Sequence, residues 1–166
     1  MNLKNPFNNK KNSRSYLLKN GKLINIKEKK IENKDILLEN KKIKQIKKEI
    51  NISSKDLEVI DCDGLMIAPG FVDMRVNIGE PGSEHKETIK SVSMSAASGG
   101  ITSLICMPNT SPPIDQPAII QSIQRKAREV ALSKFYCTGC ITRGATGKEI
   151  CELQLMKESG AVGFTD

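Results

Sequence analysis

The chain has 166 residues, a net charge of +7, no Trp and only 4% aromatic residues. This length suits one domain, or one small domain with part of another, and a core built mainly from aliphatic side chains. The first fifteen residues lack the apolar segment of a signal peptide, and no run approaches the roughly 18–20 apolar residues of a membrane span. The five cysteines do not have the spacing of a disulfide framework. We therefore expect a cytoplasmic protein with reduced thiols.

The positive charge is concentrated in the first sixty residues, which hold sixteen Lys/Arg against seven Asp/Glu. Such a segment can bind nucleic acid or an anionic surface. The same stretch holds ten of the twelve Asn residues, and aromatic side chains that could stack on bases are scarce among its lysines. We interpret the charge as a compositional bias and do not expect nucleic-acid binding; an anion- or nucleic-acid-binding module is the least favoured of three hypotheses. Residues 1–15 show no periodicity and are predicted to be a disordered basic tail.

Residues 16–67 contain short apolar clusters separated by turn residues, which predict a small β unit. Asn20-Gly21 predicts a tight hairpin turn, because both residues accept the positive φ values that such a turn requires. About fifty residues of this kind bury little core on their own. The predicted strand pairs are Tyr16–Leu18 with Leu23–Ile26, Asp35–Leu38 with Ile43–Ile46, and Val59–Cys62 with Leu65–Ile67.

Residues 68–166 show strands alternating with amphipathic helices, at a spacing of about 25–35 residues that is typical of βαβ units. Such alternation predicts an α/β fold with a parallel sheet. Four parallel strands could form an open doubly wound sheet or one half of an eight-stranded barrel, and periodicity alone does not decide between them. The predicted strands are Phe71–Ile78, Ile101–Met107, Phe135–Ile141 and Ala161–Thr165, and the predicted helices are His85–Ser98, Ala118–Leu132 and Lys148–Ser159.

A series of short motifs accompanies these elements: IAPGFVDMRVNIGEPGSEHKET (67–88), AASGGIT (96–102), CMPNT (106–110), ITRG (141–144) and GAVGFTD (160–166). In content and order they resemble the signature of the dihydroorotases, cyclic amidohydrolases whose first barrel strand carries Asp-x-His-x-His-x-Arg-Glu-Pro-Gly. The resemblance extends over residues 16–166 and is closer to dihydroorotases than to hydantoinases or allantoinases.

The resemblance implies a (β/α)8 TIM-type barrel with a small β-sandwich built from both chain termini. Residues 16–67 would then be a sandwich segment and residues 68–166 the first half of the barrel, which makes the chain the N-terminal part of a longer protein. A half-barrel leaves an open sheet edge and an uncovered apolar interior. We therefore expect the segment not to be stable alone, and we expect the protein to form a homo- or hetero-oligomer.

The resemblance also implies a chemistry that this sequence alters. Active family members interconvert dihydroorotate and carbamoyl-aspartate with one or two zinc ions that activate water. Their two metal-binding histidines lie two residues apart on one strand and so point the same way. Here those positions hold Arg75 and Asn77, and Gly79 stands where the family has its substrate-binding arginine. Because a guanidinium has no acceptor lone pair and an amide oxygen is a poor zinc ligand, we expect no catalytic residue and no zinc in this chain.

Other family positions are retained. Asn109 matches a substrate-contacting residue, with a role as turn former as the alternative. Asp166 matches an aspartate that bacterial members place near the metals, with a helix cap or solvated carboxylate as the favoured alternative. His85, the only histidine, is interpreted as a capping or packing residue at a helix start, and Glu80 as part of a Glu-Pro-Gly turn.

Two further motifs are interpreted as structural. Cys137 and Cys140 have CxxC spacing, but they lie in a predicted strand rather than at a helix N-terminus, which favours packing over redox chemistry. The segment 144–148 is not a phosphate loop, because the position of the required first glycine is Thr142.

The favoured functional hypothesis is a degenerate dihydroorotase-like protein of de novo pyrimidine biosynthesis without metal-dependent catalysis. Inactive family members assemble with aspartate carbamoyltransferase, so that enzyme is the expected partner. The alternative is an active cyclic-amide hydrolase that uses metal ligands from strands five to eight.

Overall fold

The computed structural model describes residues 15–166, which form two compact units with a boundary between Pro69 and Gly70. The predicted disordered tail lies outside the described residues, except for Ser15, which begins the first strand. No helix in the described part of the chain is both long enough and apolar enough to cross a membrane.

The first unit is a mixed five-stranded sheet. Its strands are β1 (Ser15–Asn25), β2 (Lys30–Glu39), β3 (Lys42–Lys47), β4 (Leu57–Asp61) and β5 (Met66–Ile67). Their order is β3-β2-β1-β4, and β5 also pairs with β1. Strand β2 is antiparallel to both β1 and β3, whereas β4 and β5 run parallel to β1. The buried cluster of this unit consists of Leu17, Leu37 and Ile50.

The predicted hairpin at Asn20-Gly21 is wrong, because β1 continues through these residues with a bulge. Asn20 does adopt a positive φ of 62°, but its backbone N–H donates to the Asp35 carboxylate at 2.9 Å, which holds the bulge in the sheet. The chain turns at residues 26–29 instead, where the Glu28 N–H donates to the Asn25 side chain. The second predicted hairpin is confirmed, with Asn40 and Lys41 at positive φ in the turn between β2 and β3.

The strands on either side of Asp63-Gly64 exist, but their predicted pairing with each other is wrong. Both lie parallel to β1, which they contact on opposite sides of the bulge, with Leu17 opposite Val59 and Leu23 opposite Ile67. The intervening turn, with Gly64 at φ +75°, lets the chain continue along β1 rather than fold back on itself.

The second unit alternates strands and helices, as predicted. Its elements are β6 (Phe71–Val76), α1 (Ile89–Ser98), β7 (Ile101–Cys106), α2 (Pro117–Val130), β8 (Lys134–Gly139), a 3₁₀ turn (Arg143–Ala145), α3 (Leu153–Glu158) and β9 (Ala161–Phe164). The four strands are parallel and lie in chain order, β6-β7-β8-β9. Helix α1 contacts β7, α2 contacts β8, α3 contacts β9, and each helix contacts the next.

This strand order decides between the two arrangements that periodicity left open. A doubly wound sheet reverses its strand order at a switch point, whereas here every strand lies beside the strand that precedes it in the chain. The unit is therefore the first half of a (β/α)8 barrel with a layer of helices along one side. Ile120, Ile123 and Ala127 face the sheet from α2 at the spacing of a buried helical stripe. Full burial of each isoleucine stabilises the unit by about 1.5–3 kcal/mol.

Two predicted helices begin later than expected. Helix α1 begins at Ile89 after the N-cap Thr88, whose hydroxyl accepts from the Ser91 N–H while the Ser91 side chain accepts from the Thr88 N–H. His85 lies in the preceding turn and is exposed, so its interpretation as a capping or packing residue is wrong. Helix α3 begins at Leu153 rather than at residue 148, because residues 142–150 form a loop closed by an antiparallel bridge between Thr142 and Ile150.

Candidate functional site

The candidate site lies where the parallel strands end at their carboxyl termini, the end at which barrel enzymes place their active sites. On β6 and just after it, Val76 and Ile78 pack against the buried cluster under the helices. Since side chains alternate along a strand, Arg75 and Asn77 lie on the opposite face, toward the barrel interior. Both are exposed, and the Arg75 N–H donates to the Asp73 carboxylate at 3.0 Å.

The ends of β6 and β7 are joined by a backbone bond and a side-chain bond. The Met107 N–H donates to the Val76 carbonyl at 2.9 Å, and the Asn109 amide donates to the Asn77 side-chain oxygen at 3.0 Å. The structure thus brings together two positions that the sequence singled out separately. The substrate-contacting role of Asn109 stays a prediction; its observed partner is Asn77.

The loop after β6 folds tightly over Gly79. The Ser83 N–H donates to the Gly79 carbonyl at 2.6 Å. A Cβ at position 79 would lie 2.5 Å from the Ser83 carbonyl oxygen and 2.9 Å from the Glu87 nitrogen, and would also meet the Glu87 carbonyl oxygen. These obstacles are backbone atoms, so the loop as it stands has no room for an arginine, or any other side chain, at this position.

Glu80 anchors the same loop to the helix layer. Its carboxylate accepts from the Ile89 N–H at 2.9 Å, at the start of α1, and lies 3.8 Å from the Lys126 ammonium group on α2. This placement agrees with the structural role predicted for Glu80. A cleft of about 530 Å³ opens beside it, between this loop and α2, and its lining mixes the acidic residues Glu84 and Glu129 with the basic Lys126.

Asp166 holds the end of β9 to the loop after β8. Its carboxylate accepts from the Thr142 hydroxyl at 2.6 Å and from the backbone N–H groups of Ile141 and Thr142 at 2.9 and 3.0 Å. The bond from the Thr142 hydroxyl, followed by that from its N–H, lowers the pKa of Asp166 below the ordinary value of 3.8. The carboxylate therefore caps a loop rather than a helix, and its metal-binding role stays a prediction.

The residues at this end do not fit a divalent metal ion. Arg75 carries a fixed positive charge without acceptor lone pairs, the Asn77 oxygen already accepts from Asn109, and the Asp166 carboxylate is engaged by Thr142. Over residues 15–166 there is no group of three or more His, Cys, Asp or Glu side chains arranged to hold a metal.

The structure places Cys137 beside a cysteine of the neighbouring strand, a contact that its CxxC spacing with Cys140 does not indicate. Cys137 lies in register with Cys106 on the neighbouring strand, and both are completely buried. A hydrogen bond to Cys106, with burial, raises the pKa of the Cys137 thiol, and burial raises the pKa of Cys140 to about 11. The predicted packing role fits these protonated, free thiols. Sequence reasoning missed the Cys106–Cys137 contact and the role of Thr142, which needs the register of β8 and β9 to be known.

Comparison with known proteins places this geometry in a family. The model of the family described as dihydro-orotase-like matches residues 64–166. The chain is 43% identical over 150 residues to a dihydroorotase of Caldicellulosiruptor saccharolyticus and 44% identical over 150 residues to one of Aquifex aeolicus, in each case covering 90% of this chain and 35% of the relative. Among solved structures, the L-hydantoinase (dihydropyrimidinase) from Arthrobacter aurescens matches with a TM-score of 0.77 and 29% identity, over 90% of this chain and 32% of that chain. The chain thus spans about a third of the length of these relatives.

Proposed function

The chain belongs to the dihydroorotase-like family, and we propose that it serves pyrimidine biosynthesis as a member without metal-dependent catalysis. The observation that carries this proposal is the interior face of β6, where Arg75 and Asn77 stand at the positions of the family's histidine pair. A dihydroorotase-like protein that cannot hold the catalytic metal at this strand loses the group that activates water and polarises the amide carbonyl.

The magnitude of the electrostatic effect supports the proposal. A guanidinium held within about 5 Å of a Zn²⁺ ion opposes its binding by about 6–7 kcal/mol at an effective dielectric constant near 20. Structural zinc sites bind with roughly 10–16 kcal/mol when all their ligands are present. The repulsion alone would offset about half of that free energy, in addition to the loss of two imidazole ligands.

We propose aspartate carbamoyltransferase as the partner of the full-length protein. That transferase produces carbamoyl-aspartate, the compound on which active family members close the ring. A non-catalytic relative that assembles with the transferase would keep the association while losing the reaction.

Two measurements on the full-length protein test these statements. Dihydroorotate hydrolysis is expected to be absent in excess zinc, with no zinc retained after gel filtration, whereas zinc-dependent turnover would overturn the non-catalytic assignment. Size-exclusion chromatography with the transferase at micromolar concentrations is expected to give a joint peak. Separate elution of the two proteins would reject the partnership without affecting the first result.

A second candidate is an active cyclic-amide hydrolase in which Asp166 acts beside metal ligands from strands five to eight of the barrel. The observation that favours it is Asp166, a carboxylate with a lowered pKa at the strand end that the family uses for catalysis. This candidate predicts zinc-dependent turnover that is abolished in Asp166→Asn and retained in Asp63→Asn, an exposed aspartate of the first unit.

A further inference from the structure

We infer that Cys106 and Cys137 form a reactive dithiol that hydrogen peroxide converts to a disulfide, which joins β7 to β8 beneath the helices. This covalent modification goes beyond the proposed function, because it requires neither a metal ion nor a substrate. It also differs from the redox use of a CxxC motif, since the partner of Cys137 comes from the neighbouring strand and is not Cys140.

The first support is the position of the two residues. They lie opposite each other in register on neighbouring parallel strands. Both belong to the buried cluster under the helices, so both side chains lie on the same face of the sheet. Neighbouring strands lie about 4.8 Å apart, within the range of roughly 4.4–6.8 Å that separates the Cα atoms of disulfide-bonded cysteines. The two sulfurs can therefore bond without a large movement of the backbone.

The second support is the hydrogen bond between the two thiols. The Cys137 thiol donates to the Cys106 sulfur, and this bond lowers the pKa of Cys106 while it raises the pKa of Cys137. Burial opposes the lowering of the Cys106 pKa, and a bond from the Thr138 N–H adds to it. Because the thiolate is the nucleophilic form of cysteine, Cys106 is the thiol that reacts first and Cys137 is the one that attacks the product.

The reaction consumes one molecule of peroxide for each disulfide. The Cys106 thiolate attacks a peroxide oxygen, the O–O bond breaks, and hydroxide leaves as Cys106 becomes a sulfenic acid. The Cys137 sulfur then attacks the Cys106 sulfur, so that the S–S bond forms and the S–O bond breaks. The Cys137 proton leaves with the hydroxyl as water, and the first hydroxide takes up the proton that Cys106 released. Both sulfurs are thus oxidised, and both peroxide oxygens are reduced to water.

Complete burial of both thiols determines which oxidant can react. A bulky oxidant such as glutathione disulfide is excluded, whereas peroxide is small enough to enter when the packing opens locally. The adjacent Cys137 also protects Cys106, because it captures the sulfenic acid before a second peroxide can oxidise that sulfur further. We therefore expect slow oxidation that ends at the disulfide.

Treatment of the full-length protein with hydrogen peroxide tests the inference, with peptide mass spectrometry after the free thiols have been blocked in denaturant. We expect a cross-linked peptide pair that contains Cys106 and Cys137, at a yield at least about tenfold above that of any other cysteine pair. Glutathione disulfide should give less than about a tenth of this yield, because it cannot reach the buried thiols. The covalent loop around α2 should raise the melting temperature by at least about 3 °C.

Two variants separate the roles of the two thiols. In Cys137→Ser, Cys106 should accumulate as a sulfenic acid that dimedone traps in denaturant. In Cys106→Ser, the remaining Cys137 should give at least about tenfold less dimedone adduct. The matched control is Cys62→Ser, which removes a buried thiol of the first unit and should leave the cross-link unchanged. Thermal melts before oxidation establish that each variant is folded; where a serine variant is not, the identity of the cross-linked peptides in the wild type decides.

Three results would contradict this chemistry. Peroxide treatment that leaves both thiols free, or that joins Cys140 to Cys151 in preference, overturns the inference. Accumulation of sulfinic acid at Cys106 in the wild type also overturns it, because an adjacent thiol would have captured the sulfenic acid first. Equal dimedone labelling of the two serine variants overturns the assignment of Cys106 as the thiol that reacts first.

Discussion

The substitution Gly79→Ala tests whether the loop after β6 excludes a side chain at the position of the family's arginine. The new Cβ would lie 2.5 Å from the Ser83 carbonyl oxygen and 2.9 Å from the Glu87 nitrogen, whereas favourable contacts of carbon lie near about 3.5 Å. The loop must therefore move by roughly 1 Å. That movement strains the bonds that the N–H groups of Ser83 and Glu87 make within the loop, at 2.6 and 3.4 Å. Overpacking and the weakened bonds together should lower the free energy of unfolding by about 2–4 kcal/mol.

Urea denaturation of the full-length protein, followed by circular dichroism, measures this effect. The control is Gly99→Ala at the end of α1, where φ is −87° and the nearest atom would lie 3.6 Å from the new Cβ. That variant should unfold within about 1 kcal/mol of the wild type, or be slightly more stable, because alanine restricts the unfolded chain. If Gly79→Ala is as stable as Gly99→Ala, the loop yields freely and does not exclude a side chain at this position.

Three further predictions concern the two units. Asp35 is buried and accepts from two backbone N–H groups at 2.9 Å each, so Asp35→Ala should lower the free energy of unfolding by about 3–5 kcal/mol in urea denaturation; a loss below about 1 kcal/mol would contradict the role of this carboxylate. Because the pKa of Asp166 is lowered in the folded protein, its contribution is present above the unfolded value near 3.8 and is lost as the pH falls through the lower folded value. The difference in melting temperature between the wild type and Asp166→Asn should therefore shrink below about pH 4, and a difference constant down to pH 2 would refute the assignment. The chain's five cysteines are buried and free, so native thiol labelling followed by mass spectrometry should find them slow to react at pH 8 and fully reactive in denaturant; rapid native labelling of any of them would show that the strand packing opens.

The second unit could be predicted closely because its signals are local. The largely apolar run Ile101–Met107 marks β7, and the Gly99-Gly100 pair ends α1 where the sequence indicated. The first unit was harder, because Asn20-Gly21 supplies a positive φ that suits a hairpin turn and a bulge equally well. The deciding contact is the bond from the Asn20 N–H to Asp35, fifteen residues away, which no local pattern contains.

The candidate site could also be predicted only in part. The sequence identifies Arg75, Asn77 and Gly79 as the altered positions once the surrounding motif is aligned with the family. Contacts such as Asn77 with Asn109 join residues 32 positions apart, and they exist only because parallel pairing brings the strand ends level. The predicted start of α3 at residue 148 was wrong for a related reason. The bridge between Thr142 and Ile150, which keeps these residues out of the helix, depends on where β8 ends.

The three altered positions are not equivalent, and their difference separates metal binding from substrate binding. Arg75 lies in β6 and Asn77 follows it directly, at a strand end that the bond from the Met107 N–H to the Val76 carbonyl holds to β7. Arg75→His with Asn77→His would therefore direct two imidazoles to the interior without moving the loop. Gly79 lies in a loop whose own backbone fills the space that a side chain would need. The histidine pair could therefore restore part of a metal site while the family's carboxylate-binding arginine stayed excluded. Recovery of zinc binding without recovery of dihydroorotate turnover follows from that asymmetry, because the loop, and not the strand, limits how far the family's site can be rebuilt.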